Sequence, residues 1–235
     1  MEIKKITAAI TAAALALTLT GCGSSGFEYE ISRELGGTVI TGYNGDAENI
    51  KIPEKLGGKM VVGIGDSAFK YMDSIKSVTI LDGVTSIDGN AFIECHSLES
   101  VKIPDGVTEI GTMAFFGCTA LKNIDIPDSV TDLGEDTFNQ SGLESIKLPQ
   151  GINEISSSLF LYCSNLKSID IPEGVTKIGY AAFDFCESLT DVTIPDSVAA
   201  IETSFQGCEK IQVTYKDKTY DYEHITDLYD AINNN

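Results

Sequence analysis

All six prolines of this chain stand in one register. Pro104, Pro127, Pro149, Pro172 and Pro195 follow one another at intervals of 23, 22, 23 and 23 residues. Leu81 fills the same slot 23 residues before Pro104, and the 28-residue step back to Pro53 implies an insertion of about five near Leu56-Gly57-Gly58. A second column is phenylalanine: Phe69, Phe92, Phe115, Phe138, Phe160, Phe183 and Phe205. A third is Cys95, Cys118, Cys163, Cys186 and Cys208, with Met72 and Ser141 in the remaining places. Seven rungs can be counted, each reading L-x-x-I-x-I-P-x-x-V-x-x-I-G-x-x-A-F-x-x-C, as in residues 98–118. Self-similarity at this period restricts the chain to stacked-repeat architectures, because one such unit cannot bury its own apolar face.

The rung has a physical reading from end to end. Leu98, Val101 and Ile103 contain the period-2 alternation of a strand, and the β-branched residues suit it. Pro104 cannot donate to a ladder, so the strand ends there, and Pro104-Asp105-Gly106 is turn chemistry. Val107 and Ile110 form a second inward pair, and Ala114-Phe115-x-x-Cys118 leading to Leu121 has the spacing of one or two helical turns. Stacking lets every column bury itself on its neighbours while a strand ladder grows along one side. The expected fold is an α/β repeat solenoid: a right-handed stack of about seven rungs of 22–23 residues. A parallel β-sheet would line one face and short helical turns the other, over roughly 35 Å at about 4.8 Å per rung.

The array needs ends, and the sequence offers them. Residues 27–47, with Thr38-Val39-Ile40 and the Tyr43-Asn44-Gly45 turn, are expected to form an N-terminal β cap, and residues 48–214 the solenoid. Residues 215–235 are expected to close it: Val213-Thr214-Tyr215 and Thr219-Tyr220-Asp221 flank a turn, and Ile225, Leu228, Tyr229 and Ile232 fall at helical spacing. Ahead of the array, Lys4 and Lys5 precede an apolar run over residues 6–19. Fourteen residues span only about 21 Å as a helix, short of the roughly 30 Å hydrocarbon core, so residues 1–21 read as a signal peptide. Leu19-Thr20-Gly21-Cys22 looks like a bacterial lipobox, which implies a diacylglycerol on Cys22, further acylation of the palmitate type, and cleavage just before it. An ordinary small-residue cleavage site with an incidental cysteine is the alternative. Residues 22–26 then form a Gly/Ser tether.

The I-P / V-x-x-I-G / A-F-x-x-C repeat resembles the BspA-like leucine-rich repeats of bacterial surface proteins, over about residues 48–214. The resemblance implies an exported leucine-rich-repeat solenoid that mediates protein interactions, in some members as an adhesin. It implies neither catalytic residues nor a cofactor. The departures are Leu81 for Pro, Ser141 for Cys with one residue deleted after it, and Ser156 for the Gly of the I-G pair.

Composition narrows the partner. With 35 acidic and 16 basic side chains in 235 residues, the formal charge is -19. Loss of residues 1–21 removes Lys4, Lys5 and Glu2 and moves it to -20. Nucleic acid is an unsuitable partner, because phosphate recognition needs clustered Lys and Arg. A surface lying flat on anionic lipid is disfavoured for the same reason.

Candidate chemistry is sparse. Gly63-Ile64-Gly65-Asp66-Ser67-Ala68 superficially fits a dinucleotide-binding turn, but Gly65 and Ala68 occupy the repeat columns of Gly111 and Ala114. The cysteine column could hold disulfides or a ladder of buried thiols. Met72 in the same slot and an odd number of members favour thiols. No C-x-x-C or nearby His pair supports zinc, and His96 and His224 belong to no nucleophile–base constellation, so an enzyme is not expected. Turn acids Asp82, Asp105, Asp128, Glu173 and Asp196 could recruit calcium, though aspartate suits such turns without it.

The outward side of the strands is more informative. One column runs Lys76, Glu99, Lys122, Glu144, Lys167, Thr190, and its neighbour Thr79, Lys102, Asp125, Lys147, Asp170, Thr193, with Asp191 beside them. Signs alternate down each column and oppose across the pair. Rung-to-rung ion pairs that fix register are one role for this checkerboard, and a protein-binding face is the other. The whole reads as a monomeric, lipid-anchored protein on the extracytoplasmic face of the cell membrane, presenting a rigid surface to a protein partner. An envelope-structural or assembly scaffold without a soluble ligand is the alternative. A tether of about five residues reaches at most roughly 18 Å, which keeps the solenoid close to its membrane.

Overall fold

The structure, a computed structural model, describes residues 26–234. The signal-peptide and lipidation assignments, including Cys22, lie outside the described residues.

Every rung except that of residues 121–126 contributes a short strand at its L-x-x-V-x-I segment, and these strands pair in parallel one rung apart. Ser77–Thr79 lies between Asn49–Lys51 and Ser100–Lys102, with Ile50, Val78 and Val101 in one inward column. Ser145–Lys147, Ser168–Asp170, Asp191–Thr193 and Gln212–Tyr215 continue it, and Asp125 bridges the two runs through Lys102 and Lys147. The inserted residues form a hairpin of Lys55–Leu56 with Lys59–Ile64, turning through Gly57 and Gly58 at φ +59° and +77°. Two successive left-handed residues are what a tight two-residue hairpin needs, and glycine adopts them without strain.

The V-x-x-I segments, read from sequence only as an inward pair, form a second parallel sheet. Gly37–Tyr43, Lys59–Ile64, Ser86–Ile87, Glu109–Ile110 and Asp132–Leu133 stack in that order. Glu154–Ile155, Lys177–Ile178 and Ala200–Ile201 form a separate continuation. The N-terminal strand Gly37–Tyr43 is thus an eighth layer, with Ile40 buried in the column of Ile64, Ile87 and Ile110. Glycine follows the isoleucine in most rungs because the rungs touch there: a Cβ on Gly111 would sit 2.6 Å from the Gly89 nitrogen. The break falls where Ser156 replaces that glycine. Asp88 and Glu202 also carry side chains in this column, yet their N–H groups still donate to Ile64 and Ile178 at 2.8 and 3.0 Å. At Ser156 the hydroxyl donates to the Leu133 carbonyl at 2.5 Å, so a side chain takes the bond that the backbone makes elsewhere.

The A-F-x-x-C segments differ from a continuous helix. They are single turns closed by i→i−3 bonds, such as Ile93 N–H to Asn90 O at 3.1 Å and Leu98 N–H to Cys95 O at 3.0 Å. Two left-handed residues per rung separate these turns: Ser67 and Tyr71, Asn90 and Glu94, Met113 and Gly117, Asp136 and Gln140, Ser158 and Tyr162, Ala181 and Phe185. This conformation costs a non-glycine residue roughly 1–2 kcal/mol. It persists because it aims N–H groups at the next rung: Asn90, Phe92 and Glu94 donate to Thr112, Ala114 and Phe116 at 2.9, 2.9 and 2.7 Å. A third ladder therefore runs up the turn side.

Between the three ladders lies the core. All seven phenylalanines of the repeat column are fully buried and stack nearly face to face, with centroids 5.0 Å apart at Phe69–Phe92 and 5.8 Å at Phe115–Phe138. Tyr43 and Phe27 extend the stack into the N-terminal hairpin, where Phe27–Ser32 pairs antiparallel with Gly37–Tyr43. The five column cysteines are free and buried. Each thiol donates to a phenylalanine carbonyl of the preceding rung, Cys95 to Phe69 at 3.0 Å and Cys186 to Phe160 at 3.2 Å, for example. Ser141 keeps contact with the ladder at 3.3 Å from Cys163 Sγ. Burial pushes the thiols of Cys95 and Cys208 up to about 12 and that of Cys163 to about 11, so they stay protonated at neutral pH. At the far end Gln212–Tyr215 pairs antiparallel with Lys218–Asp221, and the helix Ile225–Asn233 packs Leu228 and Ile232 onto the last rung.

Candidate binding face

Strand alternation decides which side chains reach solvent. Val101, Ile146 and Ile169 point inward, so Ser100 and Lys102, Ser145 and Lys147, and Ser168 and Asp170 are exposed on either side of them. Lys76, Glu99, Lys122, Glu144 and Lys167 sit just ahead of these strands, and the rungs join there too. Glu99 N–H donates to Lys76 O at 2.8 Å, Glu144 to Lys122 at 2.9 Å, and Lys167 to Glu144 at 3.1 Å.

The first charged column makes ion pairs around Glu144 and at its Lys76 end. Lys167 Nζ lies 2.6 Å from Glu144 Oε2, and Lys122 Nζ lies 3.4 Å from Glu144 Oε1, so one carboxylate holds a lysine on each oxygen. The hydrogen bond from Lys167, then that from Lys122, holds the Glu144 carboxyl below its ordinary range. Lys76 pairs with Glu48 at 2.7 Å, which raises the Lys76 ammonium. Glu48 therefore extends the column by one rung. It stands 28 residues before Lys76, the same step that separates Pro53 from Leu81, and that shared offset was the signal available in the sequence.

The second column behaves differently. Lys102, Asp125, Lys147, Asp170 and Thr193 follow in register, but Lys147 turns to the neighbouring turn acid Asp128 at 3.9 Å. Between the two columns runs a row that is uncharged except at Asp191. Its members hydrogen-bond across rungs, Ser77 to Asn49 at 2.7 Å and Ser145 to Asn123 at 3.0 Å. Asp191 occupies the same row and accepts from Thr190 at 2.8 Å. The result is a solvated, hydrogen-bonding face on parallel strands.

The remaining candidate chemistry resolves into packing. Gly65 lies against the Ile40 carbonyl, 2.8 Å from where a Cβ would stand, and Ala68 is buried in the core. His96 meets Asp73 at 2.9 Å and His224 meets Asp221 at 2.6 Å, each an exposed local pair. Asp128 among the turn acids accepts the Gln150 N–H at 3.2 Å. Among the described residues no group of three or more His, Cys, Asp or Glu is placed to hold a metal ion. Nor is any helix among them long and apolar enough to cross a membrane.

A coil of short parallel strands, with leucine, isoleucine and phenylalanine columns inside and a hydrogen-bonded plane outside, defines a leucine-rich-repeat scaffold. The profile of the BspA type leucine rich repeat region matches it six times, over residues 43–111 and 85–212, and the chain belongs to that family. Among solved structures it is similar to a leucine-rich repeat protein from Bacteroides ovatus ATCC 8483, at 26% identity and a TM-score of 0.75 over 80% of this chain and 51% of that one. It is also similar to a leucine rich cell surface protein from Faecalibacterium prausnitzii A2-165, at 31% identity and a TM-score of 0.72, covering 85% and 57% of the two chains. The T. pallidum leucine rich repeat protein shares 26% identity at a TM-score of 0.59, over 71% and 89%. The chain thus spans little more than half the length of the first two relatives. Nothing matches among curated proteins.

Proposed function

We propose that the chain is a lipid-anchored, extracytoplasmic protein whose charged strand face captures a protein partner. The observation that carries this reading is the plane itself. Lys76, Glu99, Lys102, Lys122, Asp125, Glu144, Lys147, Lys167, Asp170 and Asp191 stand in register on parallel strands, balanced in sign on a chain of formal charge -19. Such a surface loses little conformational freedom on association and selects partners by complementary charge. The cell-surface relative supports export. The second reading, an envelope scaffold, draws on the short tether, which leaves a partner within the envelope in easier reach than one beyond it.

Charge reversal separates a register role from a binding role. In the pair Lys122→Glu and Lys147→Glu, the first puts a like charge beside Glu144, and exposed pairs contribute little to stability, so melting should fall by a few degrees at most. Cross-linking in intact cells should lose the partner captured by the unaltered chain. Retained capture by the double variant would refute the face as the interface. Anchoring is checked by Cys22→Ser, which should move the protein from the membrane fraction to the soluble one; persistent membrane association would defeat the lipidation reading.

A further inference from the structure

From an observation independent of the charged plane, we propose a second binding site on the turn side, for a neutral pyranose sugar. It lies at the rung that has lost a residue. Five other rungs place two residues between the column cysteine and the following leucine or isoleucine: His96 and Ser97, Thr119 and Ala120, Ser164 and Asn165, Glu187 and Ser188, Glu209 and Lys210. The Ser141 rung has Gly142 alone, so the corner is one residue short, and its backbone closes on the Thr119 carbonyl, which a Cβ at Gly142 would strike. The shortfall leaves an open cleft of about 390 Å³ between the flanking rungs, lined by Thr119, Gln140, Gly142, Tyr162, Ser164 and Asn165 among others.

Two features fit the cleft to a sugar. The first is an aromatic platform. Tyr162 is 49% exposed and sits in the left-handed region at φ +59°, an uncommon conformation for a bulky side chain. Packing does not demand an aromatic there, since the same column holds Glu94, Gly117, Gln140 and Gly207 in other rungs. One face of the ring stacks on Phe185, with centroids 4.8 Å apart and planes 12° from parallel. Phe185 in turn covers Gly207, where a Cβ would stand 2.6 Å from its ring. Phe185 belongs to the rung after Tyr162 and the cleft opens toward the rungs before it, which leaves the other ring face for a ligand.

The second feature is the polar set around that platform. Gln140 and Asn165 offer amides and Thr119 and Ser164 hydroxyls, groups that both donate and accept. No carboxylate, ammonium or guanidinium lines the cleft, although the chain as a whole is strongly acidic. An anion would find no cation there, a cation no carboxylate, and an apolar ligand would strand the amides. A ligand with an apolar ring face and a rim of uncharged hydroxyls satisfies both features, and that is a neutral pyranose.

The test displays the full chain multivalently on beads and probes it with an array of neutral oligosaccharides, with sialylated and sulfated ones alongside. Binding to neutral members is expected, and Tyr162→Ala should weaken it about tenfold or more, as loss of an aromatic contact implies. Tyr162→Gly, which relieves the left-handed strain and matches Gly117 in the same column, should lose binding equally while leaving the melting temperature intact. Tyr71→Ala is the control, because Tyr71 is as exposed and as left-handed but its ring is covered by Lys70 Nζ at 4.7 Å. Failure to bind any neutral glycan, binding confined to charged glycans, or binding indifferent to both Tyr162 variants would overturn the proposal.

Discussion

Phe115→Ala is expected to destabilise the solenoid by about 3–5 kcal/mol, the cost of truncating a fully buried aromatic whose cavity cannot collapse. The ring lies between Phe92 at 5.3 Å and Phe138 at 5.8 Å, both within 4° of parallel to it. Three backbone ladders fix the separation of these rungs, so the neighbours cannot close over the gap. Contacts in a solenoid run only between adjacent rungs, and a cavity at mid-array also weakens the coupling of its two halves. Urea unfolding should show a lower midpoint and a broadened or two-step transition. Phe116→Ala is the comparison: its side chain is only half-buried, and the loss should be smaller. Equal effects at the two positions would mean that the stack carries no special share of the stability.

The inward columns were legible because their cause is local and repeated. Every buried position of Leu98, Val101, Ile103, Val107, Ile110, Ala114, Phe115 and Cys118 recurs at the same offset, and one rung's error is corrected by the next. The left-handed pairs left no such mark. Tyr71, Met113 and Phe185 have no intrinsic preference for positive φ; the next rung's carbonyls impose it, a tertiary effect absent from any one rung's sequence. The spacing of Ala114, Phe115 and Cys118 suggested one or two helical turns, and single turns closed by i→i−3 bonds carry those inward positions. The charge checkerboard was half informative for a related reason. Backbone register placed the columns, but an exposed lysine chooses among several acids, and Lys147 leaves its column for Asp128. The cleft beside Tyr162 was visible only as a missing residue. Its use depends on which ring face stays open, and that is a matter of stacking order.

Removal of residues 222–235 is expected to convert the chain into a self-associating species. The last rung has no successor to accept its N–H groups, and side chains of the cap do so instead. Asn233 imitates a strand: its Oδ1 accepts from Ile201 N–H at 2.9 Å while its Nδ2 donates to Ile201 O at 2.8 Å. The hydroxyls of Tyr229 and Tyr222 accept from Ser204 N–H at 3.2 Å and Gly207 N–H at 3.3 Å. Leu228 and Ile232 meanwhile cover the end of the core, and losing either alone would cost about 2–5 kcal/mol. Without the cap, Ile201 and Phe205 meet water beside an unpaired ladder edge, a template for another copy's strand. Sedimentation should show assembly that grows with concentration, and the melting temperature should fall. The single change Asn233→Ala isolates the edge from the apolar cover, since it leaves Leu228 and Ile232 in place. It should cost about 1–3 kcal/mol by stranding both Ile201 groups. Should the truncated chain sediment as the intact chain does, with its melting unchanged, the stack would be closing its end by some means other than these side chains, and the ladder would not be what holds successive rungs together.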